Sequence, residues 1–227
     1  MKSTAVSLSF MLLCIAFCVC LIASNLLETK VIQLGPLTIT GGFLVFPLSY
    51  IINDCIAEVW GFRKARLIIW IGFVANFAML ALFQLAVALP AAPFWEGDSA
   101  FRFIFGLAPR IAAASLTAFL LGSFLNAYVM SRMKIASGGK HFSARAILST
   151  LFGESADSLI FFPLAFGGLV PVQELLKMMV IQVVAKTAYE IIALPVTIRV
   201  VAALKSHEGM DVYDTNVSYN ILKIKDL

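Results

Sequence analysis

Four ionisable side chains fall inside the last two long apolar stretches of the chain: Glu154 and Asp157, three residues apart, then Lys186 and Glu190, four apart. At helical spacing each pair shares one face of its helix. If the two faces meet, three acids oppose one base, an excess of two negative charges. Desolvation and like-charged neighbours drive buried carboxylates toward neutrality. At least one must therefore hold a proton, a cation or a ligand carrying several donors. An ionisable group at a bilayer centre costs about 2.5–3.5 kcal/mol even on insertion scales, which marks it as a functional candidate. The bland alternative is a structural ion pair, Lys186 with Asp157 or Glu190, that only locks two helices together.

A second set comprises Asn53, Asp54 and Glu58, followed by Trp60-Gly61-Phe62-Arg63-Lys64-Ala65-Arg66. Asp54 and Glu58 share a helical face and, with Asp157, are candidates for coupling or gating; the alternative is simple pairing with Arg63 and Arg66. Asn25, Asn76, Gln84, Asn126 and Gln182 are amides deep in apolar segments, for which interhelical glue worth well under ~2 kcal/mol is the bland alternative to ligand binding. Phe46 and Tyr50 offer aromatic faces. The candidate ligand-binding set is thus Glu154, Asp157, Lys186, Glu190, Asn25, Tyr50 and Phe46. No metal or cofactor is implied: Cys14, Cys18 and Cys20 lie within one helix and Cys55 near a helix end, with no CxxC spacing. Enzyme chemistry is disfavoured too, since His141 and His207 fall in loops, no HExxH or GxSxG occurs, and Ser155 lacks an evident base.

The elements that must position these residues follow from composition. Of 227 residues, 61% are hydrophobic and 13% charged, about half the charge of an average soluble domain, and the mean hydropathy is +0.94. A soluble globule is excluded, and so is a disordered chain. Spanning the hydrocarbon takes roughly 20 apolar residues. Charge-free gaps from Lys2 to Glu28, Lys30 to Asp54, Arg66 to Glu96 and Arg110 to Arg132, with the two later stretches, predict an all-α polytopic membrane protein of six helices. These cover about 4–27, 31–53, 67–90, 110–131, 146–167 and 178–204, within a transporter domain of 1–205 and a cytoplasmic tail of 206–227. With the N-terminus inside, Lys30, Arg102, Arg110 and Lys177 fall outside. Lys2, Arg63, Lys64, Arg66, Arg132, Lys134, Lys140, Arg145, Arg199, Lys205, Lys223 and Lys225 fall inside, so both termini are expected in the cytoplasm. The first apolar run is too long for a signal-peptide h-region and is read as a retained span. The net charge of +4 reflects those inner loops and not a nucleic-acid surface.

Leu34-Gly35-Pro36-Leu37-Thr38-Ile39-Thr40-Gly41-Gly42 weakens a regular helix, so the outer half of the second span is expected to be unwound or re-entrant. Phe46-Pro47-Leu48 recurs as Phe162-Pro163-Leu164, and Ala88-Leu89-Pro90 as Ala193-Leu194-Pro195. Such echoes suit two inverted three-helix halves, although short matches also arise by chance in so apolar a chain.

The run Phe46-Pro47-Leu48-Ser49-Tyr50-Ile51-Ile52-Asn53-Asp54 to Glu58-Val59-Trp60-Gly61, then Ala65-Arg66, resembles the second helix of the queuosine-precursor transporters, the vitamin-uptake-type family. Arg110-Ile111-Ala112-Ala113-Ala114-Ser115 is similar to their fourth helix, and Ser149-Thr150-Leu151-Phe152-Gly153-Glu154-Ser155-Ala156-Asp157-Ser158 to their fifth. Lys186 falls where the family carries a lysine, and Glu208-Gly209-Met210-Asp211-Val212-Tyr213-Asp214 resembles its tail. The resemblance extends from Asn25 to Asp214, with the fifth-helix run its most specific part. It implies six helices and bacterial inner-membrane import of a 7-deazaguanine such as 7-cyano-7-deazaguanine. Some members carry Asn where Glu154 stands, which makes Asp157 the principal acid.

Chemistry agrees with that implication. A deazaguanine presents an N–H beside an amino group, a donor pair that a carboxylate accepts bidentately, while its carbonyl needs a donor such as Lys186. Tyr50 or Phe46 would stack on the flat base. The excess acid would carry a coupling proton or cation, giving a secondary transporter. The competing class is a six-helix substrate-capture subunit of an ATP-driven uptake system, since the chain has no GxxxxGK[ST] loop of its own. Expected partners are the small 7-deazapurine, the bilayer and, given the chain's small size for a lone transporter, a second copy in a homodimer; no nucleic-acid partner is expected.

Overall fold

The computed structural model describes residues 6–27, 29–34, 37–106 and 109–223. The Gly35-Pro36 break and Lys2, Glu28 and Lys225, used above to bound or orient spans, lie outside the described residues. Among the described residues, six helices are long and apolar enough to cross a membrane. In chain order the elements are α1 (Leu8–Leu27), a hairpin of β1 (Val31–Leu34) and β2 (Leu37–Thr40), a 3-10 turn (Gly41–Leu44), α2 (Phe46–Trp60), α3 (Phe62–Ala88), a short α4 (Asp98–Phe105), α5 (Pro109–Ala136), α6 (Phe142–Phe166) and α7 (Val172–Glu208).

The second span begins later than the expected residue 31. Val31 pairs with Thr40 and Ile32 with Ile39 in an antiparallel ladder. Val, Ile and Thr are stiff at χ1 and suit a pleated strand better than a helix. The hairpin folds back onto the end of α1, where the Gly41 amide donates to the Lys30 carbonyl at 2.7 Å. A Cβ at Gly41 would stand 2.5 Å from the Leu27 carbonyl oxygen, so only glycine permits that approach. Pro47 then occupies the first turn of α2, where a missing N–H does no harm.

Most spans also run past their expected ends: α2 reaches Trp60, α3 starts at Phe62, α5 extends to Ala136 and α7 to Glu208. In the sequence, charges mark the limits of the spans. Asp54, Glu58, Arg66, Lys134 and Arg145 are instead buried within the helices, which is why the expected boundaries fell short.

Every residue from Asn53 to Trp60 is buried, which places α2 at the centre of the bundle. The outer helices are apolar toward lipid: Ile15 and Val19 on α1, Val74 and Phe77 on α3, and Val180 and Val184 on α7 are exposed, at helical spacing. Between α5 and α6 the contact is backbone-close. A Cβ on Gly153 would lie 3.0 Å from the Gly122 carbonyl oxygen, and one on Gly122 would lie 2.9 Å from that of Gly153. Small residues at such crossings are what allow helices to associate in lipid.

At the end where α2 meets α3, the chain turns at Gly61 with φ +81°, a left-handed conformation that glycine adopts without strain. The residues after α7 return to this end and pack into it. Phe62 N donates to Asp214 Oδ2 at 2.9 Å, Ser131 Oγ to the same oxygen at 2.5 Å, and Trp70 Nε1 to the Ile221 carbonyl at 2.9 Å. Arg66 donates to the carbonyls of Ser218 at 3.0 Å and Asn220 at 2.8 Å. The tail is therefore a strap across the ends of α2, α3 and α5. Phe10, near the start of α1, stacks edge-on against Trp60 at the same end.

Candidate functional site

Phe46, Tyr50, Asp54 and Glu58 recur every four residues along α2, and Gly122, Asn126, Met130 and Lys134 do the same along α5. Residues four apart stack on one face about 6 Å above one another. The two faces meet, and α6 and α7 complete three levels of polar contact through the bundle.

In the first level, Lys186 Nζ of α7 lies 2.8 Å from Glu154 Oε2 and 3.7 Å from Asp157 Oδ2, both on α6. Glu154, Asp157 and Lys186 are all buried. The ammonium also sits 3.8 Å from the centroid of the Phe46 ring, a cation–π contact of the kind that strengthens when desolvated. Tyr50 is buried beside them, in the gap left by two glycines: a Cβ at Gly122 would fall 2.6 Å from Tyr50 Oη, and one at Gly153 2.8 Å from its Cε1.

One turn along α2, Asn126 Nδ2 donates to Asp54 Oδ1 at 2.6 Å. Ser149 Oγ lies 3.3 Å from Asp54 Oδ2, and the next residue, Thr150, donates to Glu190 Oε2 at 2.8 Å. Asp54, Asn126, Ser149, Thr150 and Glu190 are all buried.

At the third level, Glu58 is held by Arg145 through both terminal nitrogens and by Lys205 Nζ at 2.6 Å. Lys134 donates to the Glu58 carbonyl and to Asp211 Oδ1, each at 2.5 Å, and Lys205 reaches Asp211 at 2.9 Å. Three bases thus enclose two acids, and the tail contributes one of the acids. Burial works against the Asp211 carboxylate, but the hydrogen bonds from Lys134 and Lys205 outweigh it and hold its carboxyl below the usual carboxylate range. Beside the strap, a cleft of about 360 Å³ is lined by Arg63, Arg66, Asn216, Val217, Ser218 and Lys223.

The structure brings Glu154, Asp157, Lys186, Phe46 and Tyr50 together and places Glu190 one level away, bonded to Thr150. Asn25 lies elsewhere, between α1, α3 and α5: its Nδ2 donates to Asn76 Oδ1 at 2.8 Å, and its Oδ1 accepts from Ser115 Oγ at 3.3 Å. Glu58 is bound by Arg145 and Lys205, whereas the sequence had offered Arg63 and Arg66 as its partners. In the sequence, Arg145, Lys134 and Lys205 stand out only as inner-loop charges, and Ser149 and Thr150 only as part of a motif. A signal for Arg145 was present in its spacing, since 145, 149, 153 and 157 repeat every four residues on one face of α6. Among the described residues, no group of three or more His, Cys, Asp and Glu side chains is placed to hold a metal ion.

Comparison with known proteins gives concordant matches. Residues 40–200 match the family model described as "Putative vitamin uptake transporter". The chain is 29% identical over 175 residues to a Bacillus subtilis protein named "Probable queuosine precursor transporter", covering 77% of this chain and 76% of that one. It is 29% identical over 144 residues to the "Queuosine precursor transporter" of Escherichia coli, covering 63% of this chain and 62% of the relative. No solved structure matches the chain.

Proposed function

The chain belongs to the vitamin uptake transporter family, and from that premise we propose that it imports a 7-deazaguanine precursor of queuosine, such as 7-cyano-7-deazaguanine. We place it in the bacterial inner membrane with both termini in the cytoplasm, as a secondary transporter coupled to a proton or another cation and working alone or as a homodimer. The names of its relatives support the substrate class. The orientation is supported by the concentration of Arg63, Arg66, Lys134, Arg145 and Lys205 at the strap end.

The observation that carries the reading is the buried set of Lys186, Glu154 and Asp157 beneath Phe46. A flat base with an N–H and an amino group on one edge and a carbonyl next to them needs a carboxylate and a donor side by side. Asp157 is the acid for the donor edge and Lys186 the donor for the carbonyl, with Phe46 and Tyr50 as stacking faces. When the base enters, Lys186 exchanges part of its contact with Glu154 and Asp157 for the ligand, so a desolvated ion set becomes a desolvated recognition set. The Glu58 network below it closes the cytoplasmic side, and its ion pairs must part for release.

The test is tRNA queuosine in cells that cannot make the precursor but are supplied with it. Deletion of this protein is expected to abolish the modification; unchanged queuosine would overturn the reading. Uptake by the purified protein in liposomes under an ion gradient, without ATP, would exclude the capture-subunit alternative.

A further inference from the structure

The level between the substrate set and the strap network has an excess of acceptors. Asp54 Oδ1 receives the Asn126 amide at 2.6 Å. Ser149 Oγ lies within 3.3 Å of Asp54 Oδ2 but also 2.9 Å from the Ala146 carbonyl. A hydroxyl has one proton, so Ser149 shares it between the Ala146 carbonyl and Asp54 and satisfies Asp54 Oδ2 only in part. Across from them Glu190 uses one oxygen, bonded to Thr150 at 2.8 Å, while Glu190 Oε1 has no hydrogen-bond partner. Asn126 Oδ1 also has none, although its amide points at Asp54 and the residue is fully buried. Asp54 and Glu190 bond to consecutive residues of α6, Ser149 and Thr150.

The donors named here, Asn126, Ser149 and Thr150, are all neutral. Two carboxylates and an unpartnered amide oxygen buried together are costly unless positive charge is added. One proton can bridge one pair of acceptors. An alkali cation can be coordinated by several oxygens at once, and hard cations take carboxylate, hydroxyl and amide oxygens.

We propose that Asp54, Glu190, Ser149, Thr150 and Asn126 form a binding site for a sodium ion, one helical turn from the substrate set. Its role as the coupling ion rests on the reading of the chain as a secondary transporter, but its binding does not, and Tyr50 of α2 lies between the two levels. Sodium drawn in here would offset one of the two negative charges of Asp54 and Glu190, steady the α2–α6–α7 contact and thereby favour the arrangement in which Lys186 faces Glu154 and Asp157.

Sodium binding is tested without any substrate, on the purified full-length protein in detergent. The unfolding midpoint is measured while sodium chloride replaces choline chloride at constant ionic strength and pH. A saturable rise with sodium is expected, following mass action, and it should disappear in Asp54→Asn. Because that variant also alters the buried Asn126 contact, Ser149→Ala and Thr150→Val serve as second variants. They are expected to lower the midpoint in choline, since each removes a buried hydrogen bond, yet to keep a saturable response to sodium with a half-saturating concentration raised about tenfold. A midpoint indifferent to sodium, or a rise that Asp54→Asn and Ser149→Ala leave unchanged, would overturn the proposal. Sodium binding without deazaguanine uptake would leave this site standing and remove the substrate reading; uptake driven by a proton gradient with no sodium binding would do the reverse.

Discussion

Lys186 Nζ stands 2.8 Å from Glu154 Oε2, with both side chains removed from solvent. This pair crosses from α7 to α6 and makes the energetics of the site conditional: each charge tolerates burial because the other is present.

Breaking that pair on one side is therefore expected to be worse than removing both sides. Lys186→Met alone strands two carboxyls, and loss of one partner of a buried pair typically costs about 3–5 kcal/mol. Lys186→Met combined with Glu154→Gln should recover much of that stability while uptake stays absent in both. Unfolding midpoints in detergent read the first effect and uptake the second; equal midpoints for the single and double variants would show that the pair is not coupled.

Asp157 lies 3.7 Å from Lys186, farther than Glu154, so its replacement disturbs the resting ion pair less. Asp157→Asn should keep expression and monodispersity but abolish uptake, because the ligand's donor edge loses its acceptor. Glu154→Asn should retain measurable uptake. Persistence of wild-type uptake in Asp157→Asn would move the recognition role elsewhere.

The close α5–α6 crossing makes a further expectation. A Cβ on Gly153 would meet Tyr50 Cε1 at 2.8 Å and the Gly122 backbone at 3.0 Å, and backbone cannot step aside as a flexible side chain does. Gly153→Ala should therefore destabilise by about 1–3 kcal/mol, the usual range for overpacking. It should weaken substrate affinity as well, because Tyr50 is displaced. An unchanged unfolding midpoint would mean that the helices separate more freely than this packing implies.

The strap has a pH dependence with a definite sign. The Asp211 carboxyl is held below its ordinary range, so its contribution is present above the unfolded carboxylate value of about 3.9 and is lost as pH falls through the lower folded value. Hydrogen exchange of residues 209–223 should stay slow near neutrality and speed up below about pH 4. Asp211→Asn should speed exchange at neutral pH, and by a modest amount, because the side chain is 42% exposed and water screens its ion pairs. Equal protection in Asp211→Asn and the parent would show that Asp214 and the Arg66 contacts alone hold the strap.

What depends on local spacing and on transfer to lipid is legible along the chain. Six spans, an interrupted start to the second, and paired acids and bases on single helical faces all follow from the helical repeat and from the cost of charge in hydrocarbon. Those rules stop at the edge of one helix. Folding in three dimensions sets that Glu190 takes Thr150 while Lys186 pairs with Glu154, although Lys186 and Glu190 share one face of α7. It likewise decided that Glu58 takes Arg145 and Lys205 from residues 87 and 147 positions away, and that the tail closes over them. Charges looked like helix ends in the sequence because an unpaired charge would be excluded from the span. Partners brought from distant helices let Asp54, Glu58, Lys134 and Arg145 stay inside, and partners at such separations leave no periodic trace along the chain.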